Sequence, residues 1–297
     1  MFLQRTSVLV ALSLLAFAAN SLLCRFALAQ GRIDPASFTA IRVLSGALVL
    51  GGLAARELRT RAWPGRVSAS VALFLYAAPF SFAYLWLGAG VGALVLFGSV
   101  QASMIGWGLL DGERASPRLW AGLLLAFVGL GLLTLPGSAA PPLLGMALMA
   151  LAGGAWGAYS LLGRRSATPK ALGDTPPSAL AITAANFIGC ALPSAVLLAG
   201  ASAFGTLQVS GSGVLLAVAS GALASGVGYS VWYSVLPRLS ATRAATLQLL
   251  VPVLAALGGV ASLGEALSWR LVGSAGAILG GVALAQGLSF RGLGPRR

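Results

Sequence analysis

Leu87 to Ser116 reads LGAGVGALVLFGSVQASMIGWGLLDGERAS, and Leu239 to Ser268 reads LSATRAATLQLLVPVLAALGGVASLGEALS. The two align without gaps at a spacing of 152 residues and share seven of thirty positions: Leu87/Leu239, Ala89/Ala241, Ala93/Ala245, Gly106/Gly258, Gly112/Gly264, Glu113/Glu265 and Ser116/Ser268. Chance gives roughly three matches in a chain this rich in Ala, Leu and Gly, so the shared plan carries more weight than the count. Each copy runs from a small-residue turn through an unbroken apolar segment to a Gly-Glu exit, and then into another apolar segment. A repeat of about half the chain implies one structural unit used twice.

The composition fixes the solvent. The chain is 58% hydrophobic with a mean hydropathy of +0.92, and 8% of its residues are charged. Soluble domains carry about 25% charged residues, so this one has too few to cover a water-facing surface. Apolar runs of roughly 20 residues span a hydrocarbon core. Ten are predicted, at about 6–28, 35–55, 68–87, 91–110, 117–135, 142–163, 177–203, 213–236, 242–263 and 269–289, and none contains Lys, Asp or Glu in its core. Arg5 followed by an apolar run to Ala16-Phe17-Ala18 resembles a cleavable signal peptide. The run continues through Leu22, Leu23 and Phe26 to Leu28, however, and cleavage would leave nine spans, so it is taken as segment 1.

Fifteen of the 19 Lys and Arg fall in the N-terminus, the connections 2–3, 4–5, 6–7 and 8–9, and the tail, all on one side of the membrane. Arg32 and Arg270 lie in the opposite connections, with Arg25 and Arg42 at or inside segment ends. Cytoplasmic connections carry the basic excess, which places both termini in the cytoplasm. The net charge of +13 is thus a topology signal with some scope for anionic lipid contact. Nothing resembles a nucleic-acid interface. Five segments per half is an odd number, so the halves, about 1–137 and 141–290, are expected to be inverted repeats followed by a short basic tail at 291–297. The expected fold is an all-α integral membrane bundle of ten helices in the cytoplasmic (inner) membrane. In such inverted repeats a midplane site opens to either side by rocking.

At this point the residues resemble a family. Pro35-x-x-Phe38-x-x-x-Arg42 opens segment 2, and small residues open segments 4 and 9. The Gly112-Glu113 and Gly264-Glu265 exits recur, as do Gly122 with Gly129 and Gly273 with Gly280 in segments 5 and 10, and segment 6 holds Ala155-Trp156-Gly157-Ala158-Tyr159. Over about residues 6–290 the chain resembles an EamA-type member of the drug/metabolite transporter superfamily. The resemblance implies a basket of ten helices around a central cavity, and export or uptake of amino acids or other small metabolites with no particular substrate implied. One departure is Val100, where many members have a mid-segment proline matching Pro252.

Intramembrane polar and aromatic residues are the candidate substrate ligands. They are Asn20, Arg42, Tyr76, Tyr84, Gln101, Trp156, Tyr159, Asn186, Tyr229, Trp232, Tyr233 and Gln248, with Ser99 near Gln101 and Pro252 as a helix bend. A glutamine facing lipid leaves its amide unsatisfied, so Gln101 should point into the protein or a cavity, and Asn20 and Asn186 complete the intramembrane polar set. Tyr229, Trp232 and Tyr233 share one helix face, as do Tyr76 and Tyr84. Their functional reading is an aromatic-walled cavity; the alternative is interfacial anchoring, which suits Trp63, Trp86, Trp120 and Trp269. Pro252 either marks the lumen or only shapes packing. Arg42 lies seven residues after Pro35, about 10 Å along a helix. It either attracts an anionic substrate group, or snorkels outward to helix-end carbonyls, Asp34 or Glu265.

The absences narrow the chemistry. There is no His, which removes imidazole metal sites and Ser-His or Cys-His catalysis. Cys24 and Cys190 have no ligand spacing, Lys170 lies in a connection, and no carboxylate lies within a span. An enzyme is not expected, and neither is a metal or cofactor. Gly153/Gly157 and Gly276/Gly280 are close-packing motifs, for internal contacts or a homodimer. Glu113 and Glu265 are expected to cap turns or pair with Arg118 or Arg270. The reading is an alternating-access transporter of small organic solutes. A passive channel and a structural or lipid-interacting protein are the alternatives.

Overall fold

The structure is a computed structural model that describes residues 2–60, 62–110, 116–134, 141–166, 177–235 and 247–285. These are helical almost throughout: α1 (Phe2–Ala29), α2 (Pro35–Leu53), the short α3 (Ala55–Thr60), α4 (Val67–Ala83), α5 (Ala89–Leu110), α6 (Pro117–Thr134) and α7 (Leu143–Ser166). After these come α8 (Ala179–Ala203), α9 (Gly211–Val218), a π-helical stretch (Ala219–Val227) that runs directly into α10 (Gly228–Val235), α11 (Leu250–Leu263) and α12 (Trp269–Ala285). Among the described residues six helical spans are long and apolar enough to cross a membrane, and four shorter apolar helices accompany them. The periphery is apolar: Leu48, Leu124, Phe127, Leu192, Leu215 and Leu223 are exposed. The buried set includes Arg42, Asn20, Asn186, Gln101 and several Ser and Thr. This inside-out distribution is that of a chain solvated by lipid, where polar groups must find partners within the protein.

Helix ends are fixed locally. Asp34 caps α2 by accepting from the Ala36 and Ser37 amides at 3.0 and 2.9 Å, with Pro35 at the first helical position. Ser178 caps α8 through the Ala181 amide at 3.1 Å, and Ser210 caps α9 through that of Gly213 at 3.1 Å. α11 ends at Gly264, whose φ of +64° is the left-handed conformation a glycine adopts without steric penalty. The chain thereby turns back, and the Glu265 amide donates to the Gly259 carbonyl at 3.2 Å.

The pairing of α2 with α8, α5 with α11 and α6 with α12 is joined by α4 on α7, α5 on α7 and α2 on the π stretch. Exchange α1 with α7, α2 with α8, α4 with the 211–235 segment, α5 with α11 and α6 with α12. The first three pairs map onto themselves. The other three map onto 211–235 on α1, α11 on α1 and α8 on α4, and all three of these packings are present.

Small residues set the closest approaches. A Cβ on Gly122 would overlap the Gly281 carbonyl, and one on Gly281 the Gly122 carbonyl, so α6 and α12 meet backbone to backbone. Gly153 and Gly157 of α7 face α5 in the same way, against Leu96, Ser99 and Ser103. Among the described residues Gly276 and Gly280 make no close internal contact: a Cβ on either meets nothing within 4 Å, because the face of α12 turned to α6 carries Gly281 one residue on.

Candidate functional site

Five segments converge on one buried cluster. The Arg42 guanidinium of α2 is 2% exposed. Its Nε donates to Ser225 Oγ at 3.2 Å, and its Nη2 donates to the Tyr76 hydroxyl at 2.9 Å and the Tyr229 hydroxyl at 3.3 Å. Asn20 of α1 donates from Nδ2 to the Tyr76 hydroxyl at 3.1 Å. Its Oδ1 accepts from Ser220 at 2.6 Å and from Ser225 at 3.5 Å. The Tyr76 and Tyr229 hydroxyls lie 3.1 Å apart. Arg42 also sits 5.0 Å from the Tyr76 ring centre and 4.8 Å from that of Phe80, within cation–π range.

The snorkelling alternative for Arg42 is therefore corrected. The side chain turns inward because hydroxyls and aromatic faces supply its partners there. Asp34 is engaged by the α2 amides and the Gln208 amide, and Glu265 by Arg25 and the Ala89 amide.

Aromatic rings wall the cluster. Trp156 of α7 lies 4.8 Å from both Tyr76 and Tyr229, and 5.5 Å from Tyr159. Phe17 of α1 makes edge contacts with Tyr229 and Trp232, both at 5.7 Å. Between Phe17, Asn20, Tyr76, Phe80, Trp156 and Tyr229 lies a cavity of about 20 Å³, room for about one water. Among the described residues, the aromatic rings expected to wall a central cavity close in on one another and leave this small space between them. Two larger apolar hollows among the described residues lie elsewhere, one of about 800 Å³ between α4 and α8 and one of about 130 Å³ among α5, α6 and α12.

The π stretch explains how two serines reach Asn20. Ser220 and Ser225 are five residues apart, the repeat of an i→i+5 helix, and share a face that an α-helix would not give them. Gly221 lets this stretch press on α2, since a Cβ there would overlap the Arg42 carbonyl and Ser45 Oγ. Sequence periodicity of 3.6 hides Ser220 and Ser225. Phe17 and Phe80 were missed as ordinary apolar residues, and Arg25 because its position at a segment end read as topology.

The remaining candidates take other places. Tyr84 is buried at the end of α4 against Gly92, one ring contact from the cluster through Phe80 at 4.9 Å. Trp232 is buried and Tyr233 half-buried on α10. Asn186 accepts from the Arg66 amide at 3.2 Å, tying α8 to the start of α4. Gln101 is buried on α5, and Gln248 is half-buried ahead of α11. The helical run is interrupted at Leu249, three residues before Pro252, whose ring offers the Gln248 carbonyl no amide donor. Trp63, Trp86, Trp120 and Trp269 are exposed. Glu113, Lys170 and the 291–297 tail lie outside the described residues.

Both ends of the bundle carry ties between the first and second halves of the chain. At one end Glu265 accepts from the Ala89 amide at 2.8 and 3.0 Å and pairs with Arg25 at 3.3 Å, a partner the sequence had not indicated. Arg25 also donates to the Tyr84 and Leu85 carbonyls at 2.9 and 3.2 Å. At the same end, Ile33 and Val209 form an antiparallel bridge, and Asp34 binds the Gln208 amide at 3.0 Å. At the other end Glu57 accepts from the Ser178 amide at 2.8 Å and its hydroxyl at 2.6 Å.

Comparison with known proteins assigns the family. Residues 143–286 match the model of the EamA-like transporter family. The chain is 50% identical over 284 residues to "Uncharacterized protein PA1977" of Pseudomonas aeruginosa, spanning 95% of this chain and 94% of that one. It is 31% identical over 249 residues to "Uncharacterized transporter YwfM" of Bacillus subtilis, spanning 82% and 81%. A solved structure described as "Crystal structure of protein" superposes with a TM-score of 0.65 at 20% identity, over 97% of this chain and 99% of that one, a likeness of fold. With the family model on its second half and a transporter relative aligned along most of its length, the chain belongs to the EamA-like transporter family of the drug/metabolite transporter superfamily.

Proposed function

We propose that this membrane transporter moves small organic metabolites by alternating access, as an exporter or exchanger in the cytoplasmic membrane. The halves 1–137 and 141–290 act as inverted repeats, both termini are cytoplasmic, and the Glu265 end faces outward. The packing that survives exchange of the halves supports this reading. The observation that carries it is the convergence of Asn20, Arg42 and Tyr76 from one half with Trp156, Ser225 and Tyr229 from the other in a single buried cluster, with a small cavity beside it lined by Asn20, Tyr76, Trp156 and Tyr229. The Glu265 contacts, which cross from the turn after α11 to α5 and α1, suit a carrier that parts them when this end opens. A passive channel needs a continuous polar path, and a structural protein needs no such convergence.

Counterflow of labelled amino acids and organic acids in proteoliposomes tests it. Saturable exchange is expected. Unsaturable leak would indicate a channel, and no flux for any solute class would overturn transport. All six Asp and Glu lie outside the span cores, so coupling through a membrane-embedded carboxylate is not expected. Accumulation driven by a pH gradient alone, with outside pH matched in controls, would contradict that.

A further inference from the structure

Counting donors and acceptors around the cavity shows what kind of group it lacks. A hydroxyl oxygen has two lone pairs and one hydrogen. Tyr76 accepts from Asn20 and Arg42, so both its lone pairs are taken and its own hydrogen is directed to Tyr229. Tyr229 then accepts from Tyr76 and from Arg42, which leaves its O–H to donate. The Asn20 carbonyl oxygen is taken by Ser220 and Ser225. Arg42 Nη1 is buried and has no hydrogen-bond partner. The acceptors that face one another across Asn20, Tyr76 and Tyr229 are spent, and apart from lone pairs left on Ser220 and Ser225 Oγ the unspent groups, the Tyr229 O–H and Arg42 Nη1, are donors.

Charge points the same way. Arg42 carries a full positive charge about two turns into α2, and the acids at the Glu265 end are engaged elsewhere, Asp34 at the start of α2 and Glu265 on Arg25. Aromatic neighbours offset a buried cation in part, but a buried unpaired charge remains costly. An anion that enters on one side and leaves on the other supplies the missing partner for part of each cycle.

We infer that the cargo is an organic anion with an uncharged apolar or planar body, its negative group received by the Arg42 guanidinium and the Tyr229 hydroxyl. This names the cargo of the site proposed above and rests on that reading. The cavity of about 20 Å³ must widen during the cycle to admit the body, which then lies against Phe17, Phe80 and Trp156, whose rings accept planar or apolar surface. A zwitterion such as an amino acid brings an ammonium for which the cluster has no carboxylate, and a cation meets Arg42 directly.

Binding to the purified full chain in detergent, measured by calorimetry, tests this with one body in four charge states: phenylacetate, phenylacetamide, phenethylamine and L-phenylalanine. An indole series of the same four types runs in parallel. The anions are expected to bind at least about tenfold more tightly than the other forms. Arg42→Gln should weaken the anions on the order of 100-fold and leave the amides unchanged, with Arg42→Lys retaining the anion preference. If Arg42→Gln does not fold, as judged by circular dichroism and gel filtration, Tyr229→Phe should still weaken the anions selectively, by several-fold. Amide, amine or amino acid binding as tight as the anion overturns the inference. So does an absence of anion binding in both series, or unchanged anion affinity in a folded Arg42→Gln. Arg42-dependent anion binding without counterflow of that anion removes the transport reading and keeps the site. Counterflow of amines or zwitterions alone does the reverse.

Discussion

The Tyr76 hydroxyl accepts from Asn20 at 3.1 Å and Arg42 at 2.9 Å and lies 3.1 Å from the Tyr229 hydroxyl, so one oxygen holds together α1, α2, α4 and α10. Tyr76→Phe would leave Asn20 Nδ2 without this partner and Arg42 Nη2 with only the longer bond to Tyr229. Each buried polar group stranded in this way costs about 1–3 kcal/mol, so the variant should unfold measurably earlier in detergent. Tyr229→Phe strands no donor of Asn20 and should cost less. Equal melting temperatures for both variants and the parent would show that the hydroxyl network does not hold the cluster. At this scale the sequence disclosed the chemistry better than the partners. Asn20, Arg42, Tyr76, Trp156 and Tyr229 stand out because polar and aromatic groups are conspicuous in an apolar span. Ser220 and Ser225 do not, because serine is common in spans and a spacing of five has no meaning until the helix is known to be π.

α2 and α8 run antiparallel and are tied at each end by the same device. The N-cap of α2, Asp34, binds the Gln208 amide in the connection after α8. The N-cap of α8, Ser178, is bound by Glu57 in the short helix after α2. Removing one tie should lower stability without altering the span plan. Asp34→Ala is expected to cost about 1–2 kcal/mol, read as an earlier thermal transition, and an unchanged transition would show that the cap is dispensable. α6 and α12 depend instead on glycine. Gly281→Leu must push apart two backbones and should destabilise by about 1–3 kcal/mol, whereas Gly280→Leu, one residue away, faces open space and should be neutral. Equal effects would mean that α12 is rotated about its axis. The apolar helices themselves were legible from hydropathy, six of them among the described residues long enough to cross a membrane. The rotation of α12 was not, because Gly276, Gly280 and Gly281 are equivalent in composition and differ only in which side of the helix they occupy.

For the proposed alternating-access carrier, the question is which bonds must break for the Glu265 end to open. The Asp34 tie sits within the α2/α8 pair, so rocking that pair as a unit leaves it intact. The Glu265 contacts cross from the turn after α11 to the start of α5 and to α1, and opening this end must part them. Arg25 and Glu265 are 20% and 21% exposed, which weakens their ion pair toward the surface range of about 0.2–1 kcal/mol. The carboxylate on the α5 amide adds a charge-assisted bond at a helix N-terminus, worth about 0.3–1 kcal/mol more. Glu265→Gln should therefore shift the closed-to-open balance on the order of tenfold. The native thiols report it. Cys24 precedes Arg25 on α1 and is fully buried, and Cys190 of α8 is buried as well. A membrane-impermeant maleimide added outside intact cells should label Cys24 on the order of ten times faster in Glu265→Gln than in the parent, and leave Cys190 unlabelled in both. Arg25→Gln should act in the same direction. Labelling from the cytoplasmic side alone would reverse the orientation drawn from the basic connections. Unchanged labelling in both variants would mean that this end opens without breaking the Glu265 contacts, and the turn set by Gly264 would then serve only to fasten α11 to α5.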